Sequence, residues 1–236
     1  MRGRPPALAV CITMYNEHVS ELKTTLRGLI HNYNCFRSEK RFNIKKDDFL
    51  IFIVCDGYDR IPDCFKKLAR EKGFLDESIL EQKGFATRNE RTGKLSMRPL
   101  RDIMDKNVED KDVPNNLLHV FQVTTWDVGL SDDMLKGRRV HICFGVKHRN
   151  DGKINSHKWF FQGVCKYLKP ELCLMLDIGT RCDDYALIKL YNHMQYDKNC
   201  GGCCGEIEVD LADGNDDGCG CGNQGDSSKG IGSYLV

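Results

Sequence analysis

The 236-residue sequence lacks an excess of charge of either sign: 35 Lys and Arg stand against 34 Asp and Glu, a formal net charge of +1. It therefore has no polybasic footprint and gives no argument for nucleic acid as a partner, although one cleft can still hold a local anion site. It also lacks any apolar run near the ~20 residues that cross a bilayer, and the chain by itself is expected to be soluble. No export signal is legible. Residues 1–6 are basic and residues 7–13 mostly apolar, but Tyr15, Asn16 and Glu17 stand where small cleavage-site residues belong. No internal repeat occurs. Cysteine, by contrast, is abundant, at 13. The number is odd, and Cys11, Cys55, Cys143, Cys165 and Cys173 lie inside apolar runs, where they behave as small buried hydrophobes. Reduced thiols are expected rather than a disulfide framework. With 41% apolar and 29% charged residues, the composition is that of a globular domain with room for a core.

Residues 8–14 read as a buried strand between Pro5–Pro6 and Tyr15–Asn16. Residues 19–31 read as a helix carrying Val19, Leu22, Leu26, Leu29 and Ile30 on one face. Residues 49–55 form a second apolar strand that stops at Asp56–Gly57, a turn signal, and residues 61–72 a second helix. Strand, helix, strand, helix predicts a parallel sheet with helices on its faces. Residues 74–114 are charged and weakly periodic, which predicts short helices and loops. Residues 117–125 and 139–147 predict strands, and 154–168 a helix packing through Trp159, Phe160, Phe161 and Val164. Residues 172–176 predict a short strand ending at Asp177, and 184–196 a helix capped by Asp183 or Asp184. After Leu211 the composition turns to Gly, Asp, Asn and Ser. With almost nothing to bury, 212–232 predict a mobile loop or tail, so the domain is placed in 1–211, with 212–236 as insertion and chain end.

Ligands of open α/β sheets sit beyond the carboxyl ends of the strands. Three strand ends carry carboxylates there: Thr13-Met14-Tyr15-Asn16-Glu17, Asp56-Gly57 and Asp177-Ile178-Gly179-Thr180. Carboxylates meeting in one cleft suit Mg2+ or Mn2+ bridging to phosphates, because their oxygens are hard ligands. Each also has an ordinary structural explanation: Asp56 as an Asx turn, Asp177 as a cap, Glu17 as a first-turn carboxylate answering a helix dipole. The stretch from Lys147 through His148, Arg149, Asn150 and Lys153 to His157 and Lys158 is dense in cations and donors. It could hold a diphosphate or be a solvated loop. Cys200, Cys203 and Cys204 with Cys219 and Cys221 match a zinc site by count. Cys-x-Cys is an unusual second half, however, and no knuckle signal lies between, so stoichiometric zinc is not expected. Gly201–Gly202 suggests a close backbone approach, to a ligand among other candidates.

Taken in order, these segments resemble chitin synthases. Cys11-Ile12-Thr13-Met14-Tyr15-Asn16-Glu17 and Val54-Cys55-Asp56-Gly57 are similar to the opening of that catalytic domain. Lys153-Ile154-Asn155-Ser156-His157-Lys158-Trp159-Phe160-Phe161 resembles its most distinctive stretch, and Leu176-Asp177-Ile178-Gly179-Thr180 and Gly201-Gly202-Cys203-Cys204-Gly205-Glu206-Ile207 follow in the family's order. The resemblance implies an inverting, processive transferase of α/β, GT-A (Rossmann-like) fold, incomplete in this chain. Such an enzyme moves N-acetylglucosamine from UDP-N-acetylglucosamine to the 4-hydroxyl of a growing chitin chain. It implies Thr13, Tyr15, Glu17 and Asp56 around the uridine, Lys147 with donors such as Asn155 toward the diphosphate, and Gly202, Cys204 and Glu206 near the sugar. Asp177 is implied as ligand to Mg2+ or Mn2+, with Gly179 where a second carboxylate could stand. The family's Glu-Asp-Arg segment, which holds the catalytic base, does not occur here, so the base is unknown. Neither the acceptor-gripping Gln-Arg-Arg-Arg-Trp segment nor transmembrane helices occur, and Ser233-Tyr234-Leu235-Val236 resembles the channel-gating segment. A fragment is expected, one whose full-length protein works at the cytosolic face of the plasma membrane. Two rivals stand beside this reading: a hyaluronan- or cellulose-type synthase, against which residues 155–161 and 203–206 speak, and a nonenzymatic UDP-sugar-binding module.

Overall fold

The computed structural model describes residues 5–39, 49–72, 84–88, 91–99, 116–124, 140–206 and 234–235. A strand with no polar alternation must be covered on both faces, and the two most apolar segments sit side by side in the middle of the main sheet. They are β1 (Leu8–Met14) and β2 (Phe49–Cys55), with the bounds the sequence predicts. They run parallel, Leu8 opposite Phe49 and Met14 opposite Cys55.

A 3-10 turn (Tyr58–Arg60) leads into α2 (Asp63–Lys72), whose first bonds are accepted by the Pro62 carbonyl. β3 (Gly84–Arg88) and β4 (Leu95–Pro99) form an antiparallel hairpin with Gly93 at φ 65° between them. Helices and loops were the expectation there; the alternation in each strand is too short to stand out from the surrounding charge. β5 (Leu118–Thr124), β6 (His141–Lys147), β7 (Leu172–Asp177) and β8 (Tyr234–Leu235) complete the six-stranded sheet, in the order β5-β6-β2-β1-β7-β8. β6, β2, β1 and β7 are parallel, whereas both edges, β5 and β8, are antiparallel. The sheet is thus parallel at its centre and mixed at its rims, a common compromise in α/β proteins.

One face packs Leu22, Leu26, Leu29 and Phe36 of α1 (Val19–Ser38), Phe65 of α2 and Leu187 and Ile188 of α5 (Ala186–Tyr196) against the sheet. α1 runs past the expected end at His31 because Tyr33, Cys35 and Phe36 continue its buried stripe. Asn32 and Asn34, poor helix formers, hide that continuation. The other face is covered by α3 (Lys153–Lys158), a π-helical stretch (Trp159–Cys165) and a final turn, α4 (Lys166–Leu168). Here Phe160 is buried with Ala9, Cys11, Phe52 and Val54, whereas Phe161 is exposed. The expected helix over 154–168 is therefore present but not uniformly α.

The expected cap of α5 is not observed. Neither Asp183 nor Asp184 caps it; Tyr185 precedes the helix at φ 62° and makes no capping hydrogen bond. The buried Asn32 of α1 takes the role, its Oδ1 accepting from Leu187 N at 3.1 Å while its amide donates to the carbonyls of Gly28 and Asp183 at 2.9 Å. Gly28 makes this closeness possible, since a Cβ there would stand 2.8 Å from Cys182 N. The expected tail at 212–232 lies outside the described residues.

Candidate functional site

The parallel strands end together, and their carboxyl ends carry two aspartate–lysine pairs on either side of β1. Asp56 follows β2. Its backbone N donates to Met14 O at 2.8 Å, which turns the side chain toward the end of β6. Asp56 Oδ1 lies 2.6 Å from Lys147 Nζ and accepts from Asp151 N at 3.0 Å. Lys147, fully buried, also donates to Asn155 Oδ1 at 3.0 Å and Gly152 O at 3.4 Å. An ammonium has three donors, and all three are used within the protein. Gly57 is required at this corner: at φ 103°, its Cβ would meet Asn150 N at 3.0 Å. Asn116, buried, fixes the loop that follows β6. It donates to Arg149 O and Asp151 Oδ2 and accepts from Arg149 N, while the Arg149 guanidinium pairs with Asp151 at 2.8 Å. Nothing in the sequence around Asn116 signals this role; the partners are 33 and 35 residues away.

Asp177 ends β7 opposite Thr13 of β1. Thr13 Oγ1 donates to Asp177 Oδ1 at 3.0 Å, and Lys153 Nζ lies 2.5 Å from both carboxylate oxygens. Lys153 is half exposed, and Asp177 keeps some solvent access. Gly179, at φ 90°, donates its N–H to the buried Thr25 hydroxyl at 2.9 Å and so folds the chain back onto α1.

Between the pairs, the segment after β1 holds Glu17 against the backbone: its Oε2 accepts from Tyr15 N at 2.6 Å. The Arg60 guanidinium sits 5.9 Å from the Tyr15 ring centroid, a partner the sequence did not single out. Thr13, Tyr15, Glu17, Asp56, Lys147, Asn155 and Asp177 are thus gathered at one sheet edge. Gly202, Cys204 and Glu206 are exposed, and no hydrogen bond or ion pair among the described residues links them to that group. Cys203 alone of that segment packs on the core, its thiol facing Leu190 O. Among the described residues, a Cβ at Gly201 or Gly205 would meet nothing within 4 Å, so none of their backbone approaches closely there. Cys219 and Cys221 lie outside the described residues.

Burial, not chemistry, governs the thiols. Desolvation pushes Cys55 and Cys11 well up; Cys165, next to Cys173, and Cys182, near Asp183, rise to about 12. Such thiols stay protonated at neutral pH in the metal-free protein. Burial also lowers His119 and His148, whose rings meet edge to face at 4.7 Å. His157, one turn beyond Lys153, is lowered by burial and then by Lys153, against the pull of Asp177.

Among the described residues no three His, Cys, Asp or Glu side chains are placed to hold a metal together. None of the helices among them is long and apolar enough to cross a membrane. Carboxylates and cations at the carboxyl edge of a mostly parallel sheet are placed as in an α/β, Rossmann-like ligand-binding domain, the GT-A kind of fold. The chain belongs to the family of the chitin synthase-like glycosyltransferase domain, whose model matches residues 8–91 and 100–217. It is 29% identical over 224 residues to Chitin synthase C of Aspergillus oryzae, 28% over 223 to Chitin synthase 3 of Verticillium dahliae and 29% over 223 to Chitin synthase 1 of Fusarium oxysporum. Each match covers 90% of this chain but only 21–22% of the relative, so the chain spans about a fifth of their length.

Proposed function

We propose that this chain forms the donor-binding part of a chitin synthase, holding UDP-N-acetylglucosamine for transfer to a growing β-1,4-chitin chain. The observation that carries this reading is the flanking of β1 by Asp56 and Asp177 at one sheet edge, in a chain whose relatives are named chitin synthases. Tyr15, with Arg60 near its ring, offers a flat surface for uracil, and Glu17 with Thr13 borders it. Lys147 and Asn155 build the floor beneath the diphosphate rather than reach it, because each is already bonded to the other. Gly202, Cys204 and Glu206 are assigned to the sugar end.

Mg2+ or Mn2+ fits Asp177. Mg2+ is held through one or two carboxylates plus substrate phosphates and keeps several waters, and one carboxylate braced by the Thr13 hydroxyl is what this chain supplies. Asp56 is not counted as a second ligand, because its Oδ1 is held by Asp151 N and by the buried Lys147, whereas the Lys153 ammonium on Asp177 is half exposed and can be displaced. Held by Asp177, such a metal would supply positive charge to offset that of a UDP leaving group. The protein's own groups orient Asp177 and exclude water beneath Asp56. A general base needs a carboxylate free to reach the acceptor hydroxyl; Asp56 and Asp177 are engaged, and the Glu-Asp-Arg segment does not occur in the sequence. The isolated chain is therefore proposed to bind donor without elongating chitin, the point at which a nonenzymatic module would behave identically. Attachment of the whole protein to the cytosolic face of the plasma membrane belongs to the same proposal.

Calorimetry with UDP-N-acetylglucosamine, UDP-glucose and UDP, in Mn2+ or chelator, tests it. Metal should tighten UDP binding, and Asp177→Asn should remove that gain, about tenfold, or ~1.4 kcal/mol. Equal affinity in metal and chelator overturns the metal role, and indifference to every UDP ligand overturns the whole reading. Insoluble, chitinase-sensitive polymer made by the isolated chain from labelled donor would show that a base is present, with Glu206 the first residue to replace.

A further inference from the structure

The carboxylate proposed to hold the metal is already covered. Lys153 Nζ sits 2.5 Å from both oxygens of Asp177. This ammonium differs from that of Lys147 in every respect that governs exchange. Lys147 is fully buried and divides its donors among Asp56, Asn155 and Gly152. Lys153 is 52% exposed, and its only recorded partner among the described residues is Asp177. Its stem leaves the first residue of α3, and a half-exposed four-carbon side chain has rotamers that turn its ammonium into solvent.

We infer that Lys153 is a resident counter-ion of Asp177 that is exchanged for the divalent metal when the nucleotide arrives. The inference rests on the reading of Asp177 as metal ligand. Metal and ammonium cannot share the same two oxygens, because the like charges would stand within a few ångströms in a partly desolvated site. Metal alone must expel Lys153 into water. Metal arriving with a diphosphate expels it toward oxygens that welcome a cation, so the two ligands bind cooperatively through this side chain. Without either, Lys153 keeps the carboxylate paired, and Thr13 keeps it aimed. Lys153 is on this account a positioning residue that sets the order of binding.

The test reads metal binding, not turnover. Free Mn2+ is followed by electron paramagnetic resonance with and without UDP, for the whole chain and for Lys153→Met, Lys153→Arg and Asp177→Asn. Lys153→Met should bind Mn2+ without nucleotide about tenfold more tightly than the parent, and the ratio of affinities with and without UDP should shrink by the same factor. Lys153→Arg should keep the weak binding and the large ratio. Equal Mn2+ affinity of Lys153→Met and the parent, with binding lost in Asp177→Asn, overturns the exchange and leaves the metal reading standing. Mn2+ binding that survives Asp177→Asn unchanged overturns the metal reading, and the exchange with it. Thermal melts of the variants guard against misfolding.

Discussion

The two ends of the sheet's carboxyl edge use the same pair of side chains for opposite purposes. Asp56–Lys147 and Asp177–Lys153 are nearly equal in length, 2.6 and 2.5 Å. Length therefore says little about what an ion pair does; the surroundings decide. The first is dry, and its ammonium has three acceptors, so removing one partner strands a buried charge. The second is half in water with one acceptor, and removing one partner leaves a group that water can solvate. The edge is thus fixed on the β6 side of β1 and exchangeable on the β7 side.

The largest effect expected from breaking this contrast falls on Lys147. Lys147→Met should cost about 3–5 kcal/mol in urea unfolding, and adding Asp56→Asn should return part of it by removing the stranded charge. A loss below about 1 kcal/mol would make the two ends alike. A smaller effect should appear with pH on the fixed side. His148 follows Lys147, and its Nε2 and that of His119 are buried without a hydrogen-bond partner among the described residues. Burial lowers both below the ordinary 6.5. The unfolded chain then takes up protons more readily than the folded one, so stability is full above about 6.5 and declines as pH falls toward the folded values. Melting temperatures between about pH 5 and 8 should show that slope, and replacing both histidines by Gln should flatten it; an unchanged slope assigns it to other groups. The smallest effect is on stability at the exchangeable side: Lys153→Met should stay within about 1 kcal/mol of the parent. A larger loss would mean that Lys153 holds α3 in place and is not free to leave Asp177.

What could be read from the sequence was set by the range of the forces involved. β1 and β2 are legible to the residue because an unbroken apolar run bounded by turn residues has few other fates. The strand-end positions of Asp56 and Asp177 follow from those runs. The cap of α5 was misread because local chemistry favoured Asp183 and Asp184, whereas the group that satisfies Leu187 N comes from Asn32, 155 residues earlier. Shorter separations, still beyond any local pattern, hide Asn116, whose partners lie 33 and 35 residues on, and the capture of Asp177 by Lys153, 24 residues before it, which the cation-rich stretch announced without saying which cation would do it. The π-helical stretch left no trace in the apolar spacing of 154–168.

The central place of β1 has a consequence for how the chain comes to be folded during synthesis. One edge of β1 is covered by β2, which emerges soon after it, with Phe49 opposite Leu8. The other is covered by β7, whose Leu172 meets the same Leu8 from 164 residues further along the sequence. Through that interval an apolar strand presents a row of open backbone donors and acceptors, a template for pairing with any passing chain. The ribosome thus releases β1 well before the strand that covers its second edge, and a chaperone that shields Leu8–Met14 would be needed most while residues between the two strands are still being added.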